Sequence, residues 1–478
     1  MTRKVAVVGS GISGLACALR LNALDPDLEV VVYDQADRAG GKIWTEHVDG
    51  FTIEAGPDAF LASKRGGVSL SHALSLDGRL ISPNAENRRS YVLRNTRLSP
   101  LPQGLSGLVP TELRPMLRGS LLSPLGKARL AMELAMPPNR GAGDESLARF
   151  ISRRLGAETY ERMIEPLLSG IYAGDGAKLS LAATFPQLRA SELTHGGLVR
   201  GAIAQKKETA ARGPEEAPRA GFLSFDHGMS VLVDRAVESA RSNGTQFEFG
   251  ATCKGIERDA LDNRLCVTLA RGDREFSEHV DGVVVAVPGW AAATILRDLA
   301  STASDALAEI EHVSNALVAI GFPESQLNRP LDGYGYVVPR IENRDVMAMT
   351  WTTSKWPERA PDGQVLIRAF VGRAGQTAAL NGDDQFLVRL ALKELREVLN
   401  LDVTPSLARV YRWDRGMPQY TMGHLDRVDR IESSLAGTPG IEIAGNMLHG
   451  VGIPDCIDSG EVAASNLLVD LNSAACQH

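Results

Sequence analysis

The sequence predicts an α/β chain of several domains, α+β taken as a whole, and three observations predict it. A β-branched run, KVAVV, leads directly into glycines at positions 9, 11 and 14 and then into an apolar helical stretch, ISGLACALRL. A second β-branched run, LEVVVYD, ends in Asp34, 20 residues past Gly14. At the far end of the chain, GIEIAGNMLHGVGIPDCIDSGEVAAS sets out strand, glycine-rich turn and helix a second time. Strand and helix periods that alternate in this way belong to parallel sheets covered by helices.

Each element meets a separate physical requirement. Gly9 permits the tight turn after the first strand, Gly11 lets backbone approach a pyrophosphate, and Gly14 lets helix and strand pack closely. Ile12 and Ser13 open that helix, whose N-terminus attracts phosphate through its unpaired amides and its dipole. Asp34 stands where an acid accepts from a ribose hydroxyl, with a strand-end turn as the alternative role. Strand, glycines, helix, strand and acid together predict a dinucleotide site.

The residues after the acid separate FAD from NAD. In DQADRAGGKIWT, Gln35, Arg38, Gly40, Gly41 and Lys42 come directly after Asp34, and EAGPDAF, with Gly56, Pro57 and Asp58, comes soon afterwards. This combination resembles the extended FAD signature of the flavin monoamine oxidase superfamily. The resemblance implies a non-covalently bound FAD, with the glycine pair against the diphosphate and Gly56, Pro57 and Asp58 close to the flavin ring. It also implies that the strand holding Cys253 offers backbone to the adenine end, and that Trp413, Gly445, Asn446, Val451, Gly452 and Ile453 lie at the cofactor. The last strand and helix would then fold back beside the first, so that both ends of the chain hold one cofactor. There the N-terminus of the last helix would favour negative charge on the flavin, with Pro454 suited to its first turn and Asp455 a candidate cap.

Between its ends the chain divides. A Rossmann-type FAD-binding domain is expected to be discontinuous, assembled from residues 1–95, 221–299 and 411–478. Residues 96–204 read as a helical domain, in which SPLGKARLAMELAM offers Ser123 as N-cap and Pro124 at the first helical position. Residues 205–220, within QKKETAARGPEEAPRAG, read as a solvated loop. Residues 300–410, with the strand-like DGYGYVVP, DVMAMTWTT and GQVLIRAFVG, are expected to form a mixed-sheet substrate domain. The apolar GVVVAVPGWAAATIL is too short for a bilayer and is broken by Pro288, so it reads as strand, turn, helix.

One string answers to no cofactor rule: SGIYAGDGAKLSLAATFP, residues 169–186. With EAGPDAF, FDHGMSVLV, YRWDRGMPQYTMGHLDRV and GVGIPDCI, it is similar to the oxygen-dependent protoporphyrinogen oxidase and coproporphyrinogen III oxidase family over essentially the whole chain. The resemblance implies oxidation of protoporphyrinogen IX to protoporphyrin IX, with oxygen as acceptor and hydrogen peroxide as product. Coproporphyrinogen III giving coproporphyrin III is the alternative. The flavin carries such chemistry, so no residue is expected to be catalytic in its own right. Within NAENRRSYVLRN, Arg88 aligns with the family's propionate-pairing arginine, a fork of donors suited to a carboxylate, and Arg89 is one place away. Leu331, Met347 and Phe370 fall where the family sandwiches the macrocycle, and Lys64 is a further anion-binding candidate. Arg88 as the one clear anchor leans the reading toward protoporphyrinogen, because four propionates favour a more basic pocket. GMPQYTMGH pulls the other way, toward the coproporphyrinogen enzymes of Gram-positive bacteria.

The chain departs from the family at GNMLHGVG, where Leu448 and His449 occupy a stretch in which many members carry tyrosine. His449 reads more readily as a hydrogen-bonded surface residue than as a base. The missing aromatic also disfavours the more distant readings, a flavin amine oxidase or a polyene desaturase. A non-catalytic flavin-binding partner in haem synthesis is a third class.

Composition narrows the rest. With 478 residues, 44% of them hydrophobic, the chain can bury a large core, and its net charge of −7 argues against bulk attraction to nucleic acid or anionic lipid. Five cysteines, odd in number and without CxxC spacing, suggest neither a disulfide framework nor a zinc or other metal site. No signal peptide or spanning helix is read, so the cytoplasm is the expected location and a tetrapyrrole and oxygen the expected partners. The resemblance also raises peripheral membrane docking through residues 105–136 and contact with the next haem-pathway enzyme.

Overall fold

The first and last strands of the chain belong to one five-stranded parallel sheet. In the computed structural model, which describes residues 3–102, 105–106, 109–110, 113–141, 143–211, 221–260 and 263–475, the order is Gln246–Phe249, Glu29–Asp34, Lys4–Val8, Gly282–Val285, Ile441–Ile443. All four pairings are parallel. Alternate residues serve opposite faces: Ala6, Val31 and Val283 pack with Ala292 and Leu296, while Val5, Val30 and Val284 pack with Cys17 and Leu467. A sheet buried on both faces accounts for strands that read as continuous β-branched runs.

The helices that come after the two glycine-rich turns, Ile12–Leu24 and Ile453–Ala475, lie against each other. A methyl group at Gly460 would sit 2.1 Å from the Ser13 carbonyl oxygen, so only glycine allows this approach. The expected return of the C-terminal strand and helix to the N-terminal unit is therefore realised. The expected strand, turn and helix after Asp281 are also present, as Gly282–Val285 and Gly289–Ile295.

A seven-stranded sheet forms the second layer, in the order Leu407–Pro418, His312–Pro323, Gln364–Val371, Val346–Trp351, Gly335–Val337, Ser90–Arg94, Arg97–Pro100. Two segments differ from the expected domain boundaries. Ser90–Arg94 pairs with Gly335–Val337 in this sheet, Tyr91 opposite Tyr336, instead of closing the first cofactor segment. Leu407–Pro418 pairs along His312–Pro323, so residues 411–418 belong here and not to the last cofactor segment. Alternation marks a strand but not the sheet that supplies its neighbour.

Residues 113–211 are mainly helical. Pro124–Ala131 begins as expected, with the Ser123 hydroxyl accepting from the Gly126 amide at 3.0 Å. Residues 105–106 and 109–110 pair as short strands, not as helix. The stretch expected as loop from residue 205 is helical as far as Ala211, because Leu198–Ala211 continues through residues of good helix propensity. Residues 212–220 of that expected loop lie outside the described residues. Among the described residues no helix is long and apolar enough to cross a membrane.

Candidate active site

The first turn brings Gly9, Gly11, Gly14, Gly40 and Gly41 together beyond the ends of the first two strands. The Gly40 amide donates to the Ser10 carbonyl at 2.8 Å, and Gly11 and Gly40 form an isolated parallel bridge. A methyl group at Gly14 would lie 1.9 Å from the Gly9 carbonyl oxygen, whereas one at Gly11 would meet nothing within 4 Å. Open space beside glycine backbone, in front of the buried N-terminal residues Ile12 and Ser13 of the helix, fits a diphosphate. Asp34 shapes this turn: its Oδ2 accepts from the Ser10 amide and hydroxyl at 2.7 and 2.6 Å, and its Oδ1 from the Ala36 amide at 2.9 Å. Gln35 is exposed beside it. Arg38 donates to the Ala39 and Gly41 carbonyls at 3.2 and 2.9 Å and lies 4.6 Å from the Trp44 ring centre, so it braces the second glycine pair. Burial lowers the pKa of Lys42.

The two signature segments touch. A methyl group at Gly56 would lie 2.1 Å from the Lys42 carbonyl oxygen, and Trp413 Nε1 donates to the Ala55 carbonyl at 2.8 Å. Beyond Pro57, the Asp58 carboxylate pairs with Arg368 at 2.7 Å and Lys355 at 2.9 Å and accepts from Trp356 Nε1 at 3.0 Å. Burial works to raise the Asp58 pKa, but the Lys355 and Arg368 charges prevail and hold it well below the usual carboxylate range. Cys253 is the second residue of the strand Thr252–Arg258, which follows Ala251, whose amide donates to the Asp34 carbonyl at 2.9 Å. Burial pushes the Cys253 thiol up to about 12, so backbone and not thiol chemistry is what this strand offers.

The C-terminal turn is built by a network that sequence reasoning missed in part. The Gly445 amide donates to the Ser459 hydroxyl at 3.0 Å, and the Gly452 amide to Asp455 Oδ2 at 3.1 Å, the capping expected of Asp455 at the head of the helix opened by Ile453. Lys64 Nζ lies 2.6 Å from Asp455 Oδ1, so this anion-binding candidate is already paired. The Tyr420 hydroxyl donates to the Asn446 carbonyl at 2.6 Å and accepts from the Gly450 amide at 2.9 Å. Tyr420 thus supplies an aromatic at the turn that lacks the family tyrosine; its only signal was membership of GMPQYTMGH. Leu448 is buried in the core, and His449 Nε2 meets Glu432 at 2.8 Å on the surface, as expected of a non-catalytic residue. Val451 packs on Tyr172, Leu179 and Tyr420, which sets the SGIYAGDG segment against this turn.

Met347 and Phe370 converge, with Ala173, Val313, Ala374 and Met417, into one apolar group. Leu331 is not part of it and packs instead against the cluster that contains Tyr336 and Trp351. An apolar side chain satisfies either cluster equally, so residue type alone does not fix which one it joins. The two arginines also part company. Both are exposed, but Arg89 pairs with Asp332 at 2.9 Å, whereas the Arg88 charge acts on Tyr334.

Residues 12–468 match the family described as flavin containing amine oxidoreductase. The chain belongs to this family. As a member, it is a flavin-dependent oxidoreductase with FAD as its cofactor. It is 36% identical to coproporphyrinogen III oxidase of Bacillus subtilis, over 98% of this chain and 99% of that protein. It is 32% identical to coproporphyrinogen III oxidase of Staphylococcus aureus, over 98% and 100%, and 30% identical to chloroplastic protoporphyrinogen oxidase of Nicotiana tabacum, over 96% and 84%. A crystal structure from Exiguobacterium sp. 255-15 superposes over 99% of both chains with a TM-score of 0.84 and 31% identity. Putrescine oxidase, at 15% identity and a TM-score of 0.67 over 98% and 99%, shares the fold.

Proposed function

We propose that this family member oxidises a porphyrinogen to its porphyrin, with oxygen as the final acceptor and hydrogen peroxide as product. The observation that carries the reading is the apolar group of Ala173, Met347 and Phe370, reached through the same SGIYAGDG segment that packs Tyr172 on Val451 of the flavin-side turn. Coproporphyrinogen III is favoured as substrate by the 36% and 32% identities to full-length proteins of that name. Protoporphyrinogen IX is the second reading, favoured by Arg88 as the single uncommitted arginine of its pair, Arg89 being held by Asp332.

When bound, FAD supplies a two-electron acceptor that passes its electrons to oxygen. The chain's own residues bind, orient and exclude water. Backbone around Gly11 and Gly41 would hold the diphosphate, with Asp34 and Arg38 keeping the two turns in place. The N-terminus of the last helix, fixed by Asp455 and Tyr420, would face the flavin and favour negative charge there. Met347 and Phe370 would wall an apolar slot for the macrocycle, and Arg88 would take one carboxylate. Burying roughly 200 Å² of apolar ring at about 25 cal/mol per Å² contributes near 5 kcal/mol before association costs. One charge-assisted hydrogen bond contributes about 1.5 to 3 kcal/mol. Affinity therefore rests on the slot, and Arg88 selects which way the ring lies. Any peripheral membrane docking through the helical segment runs through Leu125 and Met132, which are 84% and 58% exposed.

Porphyrin fluorescence with both porphyrinogens, side by side, tests the reading. Faster turnover of coproporphyrinogen III is expected; formation of neither porphyrin would reject the proposal.

A further inference from the structure

One carboxylate ties together the segments that carry the apolar group of Ala173, Met347 and Phe370, the slot proposed above for the macrocycle. Glu165, 5% exposed, begins the helix Glu165–Tyr172. Its Oε1 accepts from the Ser169 hydroxyl at 2.7 Å, and its Oε2 from the Arg340 backbone amide at 2.9 Å. The guanidinium groups of Arg340 and Arg373 lie 3.5 and 3.8 Å from the same Oε1. Arg340 in turn donates to the Ala374 and Gly174 carbonyls at 2.7 and 3.1 Å, and Arg373 donates to the Val338 carbonyl at 2.9 Å. The Ala374 amide closes the ring by donating to the Ala173 carbonyl at 2.7 Å.

Ala173 shows what this network is for. It ends the helix in the left-handed region, at φ +47°, where a residue with a β-carbon is strained. Such a conformation persists only where the surroundings impose it, and it collects at functional sites. Here the Ala374 amide and the Arg340 guanidinium impose it, and the Ala173 side chain packs in one apolar group with Met347 and Phe370. Val337 and Ala374, each next to a carbonyl or amide in the network, pack on the same group. Two guanidinium groups face one carboxylate, and Arg373 Nη2 is buried without a hydrogen-bond partner. Withdrawing the negative charge would leave two cations facing each other behind the wall, so the arrangement depends on the charge of Glu165 and not only on its shape.

We propose that Glu165 is a positioning residue for the substrate: through Arg340 and Arg373 it fixes the spacing between Ala173 and the Met347 and Phe370 wall, and so sets how closely a porphyrinogen and its side groups fit. Glu165 does not touch the substrate, and the inference rests on the porphyrinogen reading of the slot.

The test compares FAD-loaded wild type and Glu165→Gln in steady-state turnover of both porphyrinogens, with Kd for coproporphyrin III from fluorescence quenching. Expected are a rise of about tenfold in KM and Kd, a change in kcat below about threefold, and an unaltered flavin absorption spectrum. Ala173→Gly relieves the backbone strain while removing the methyl group, and should change the ratio of the two KM values without lowering the melting temperature. Should Glu165→Gln fail to fold, Ser169→Ala loosens the same carboxylate and should raise KM about two- to threefold. Unchanged KM and Kd in the FAD-loaded variants, with active wild type, would overturn the positioning role alone. Wild type that neither turns over nor binds porphyrin would overturn the function and this role with it.

Discussion

Tyr420 and Asn446 are joined by a 2.6 Å hydrogen bond from phenol to carbonyl, and the same phenol oxygen accepts the Gly450 amide at 2.9 Å. One side chain therefore spans both halves of the turn before the last helix. Burial raises the Tyr420 pKa well above its ordinary value, so the phenol stays a donor. Tyr420→Phe keeps the stacking on His424, whose ring centre lies 4.0 Å away, but leaves a part-buried carbonyl and amide without this partner, at a cost of about 1–2 kcal/mol. Thermal unfolding and FAD retention on gel filtration should both fall; a variant matching wild type in both would remove the bridge from the account.

His424 makes stability depend on acid. It is 1% exposed with Nε2 at 2.8 Å from the Leu448 carbonyl, and burial lowers its pKa to about 4. An unfolded chain takes up this proton near pH 6.5 and the folded chain only near 4, so between those values the unfolded state binds more protons. The stabilisation is complete above pH 6.5 and is lost as pH falls toward 4, on the order of 3 kcal/mol in all. Melting temperature against pH should fall less steeply over this window in His424→Phe than in wild type; equal slopes would contradict the assignment.

Phe370 and Leu331 should separate in kinetics, because only Phe370 packs with Met347. Phe370→Ala removes slot surface worth about 2 kcal/mol, a rise of roughly thirtyfold in KM with FAD still bound. Leu331→Ala should lower the melting temperature and leave KM unchanged. The reverse pattern would show the slot lies elsewhere.

Arg88 should act on turnover and not on cofactor. Arg88→Ala is expected to retain FAD and to raise KM about tenfold, consistent with loss of one charge-assisted hydrogen bond. Unchanged kinetics would take Arg88 out of the substrate site.

The parts of the fold legible in the sequence are those written in local spacing. Gly9, Gly11 and Gly14 between two β-branched runs announced the parallel sheet, and the glycine turn before Ile453 announced the helix that docks at Ser13. The parts that were not legible depend on partners distant in sequence. Glu165 meets Arg340 and Arg373 only after the seven-stranded sheet and the helical segment have assembled, and nothing in RMIEPLLSG marks its carboxylate as buried. For Asp58 the resemblance implies a place close to the flavin, but nothing in EAGPDAF shows that Lys355 and Arg368 take up its charge. QKKETAA reads as loop because it opens a stretch that is polar, charged and rich in alanine and proline, but helix propensity in an already nucleated Leu198 segment carries the helix through it.

The central claim is that FAD held between the first and last segments takes electrons from a porphyrinogen. Anaerobic mixing of the FAD-loaded protein with coproporphyrinogen III, monitored by its visible absorbance, tests this most directly. The account predicts that the yellow colour bleaches, that porphyrin fluorescence appears in step, and that admitting oxygen restores the colour with release of hydrogen peroxide. A flavin that stays yellow with both porphyrinogens but bleaches with a simple amine would contradict it.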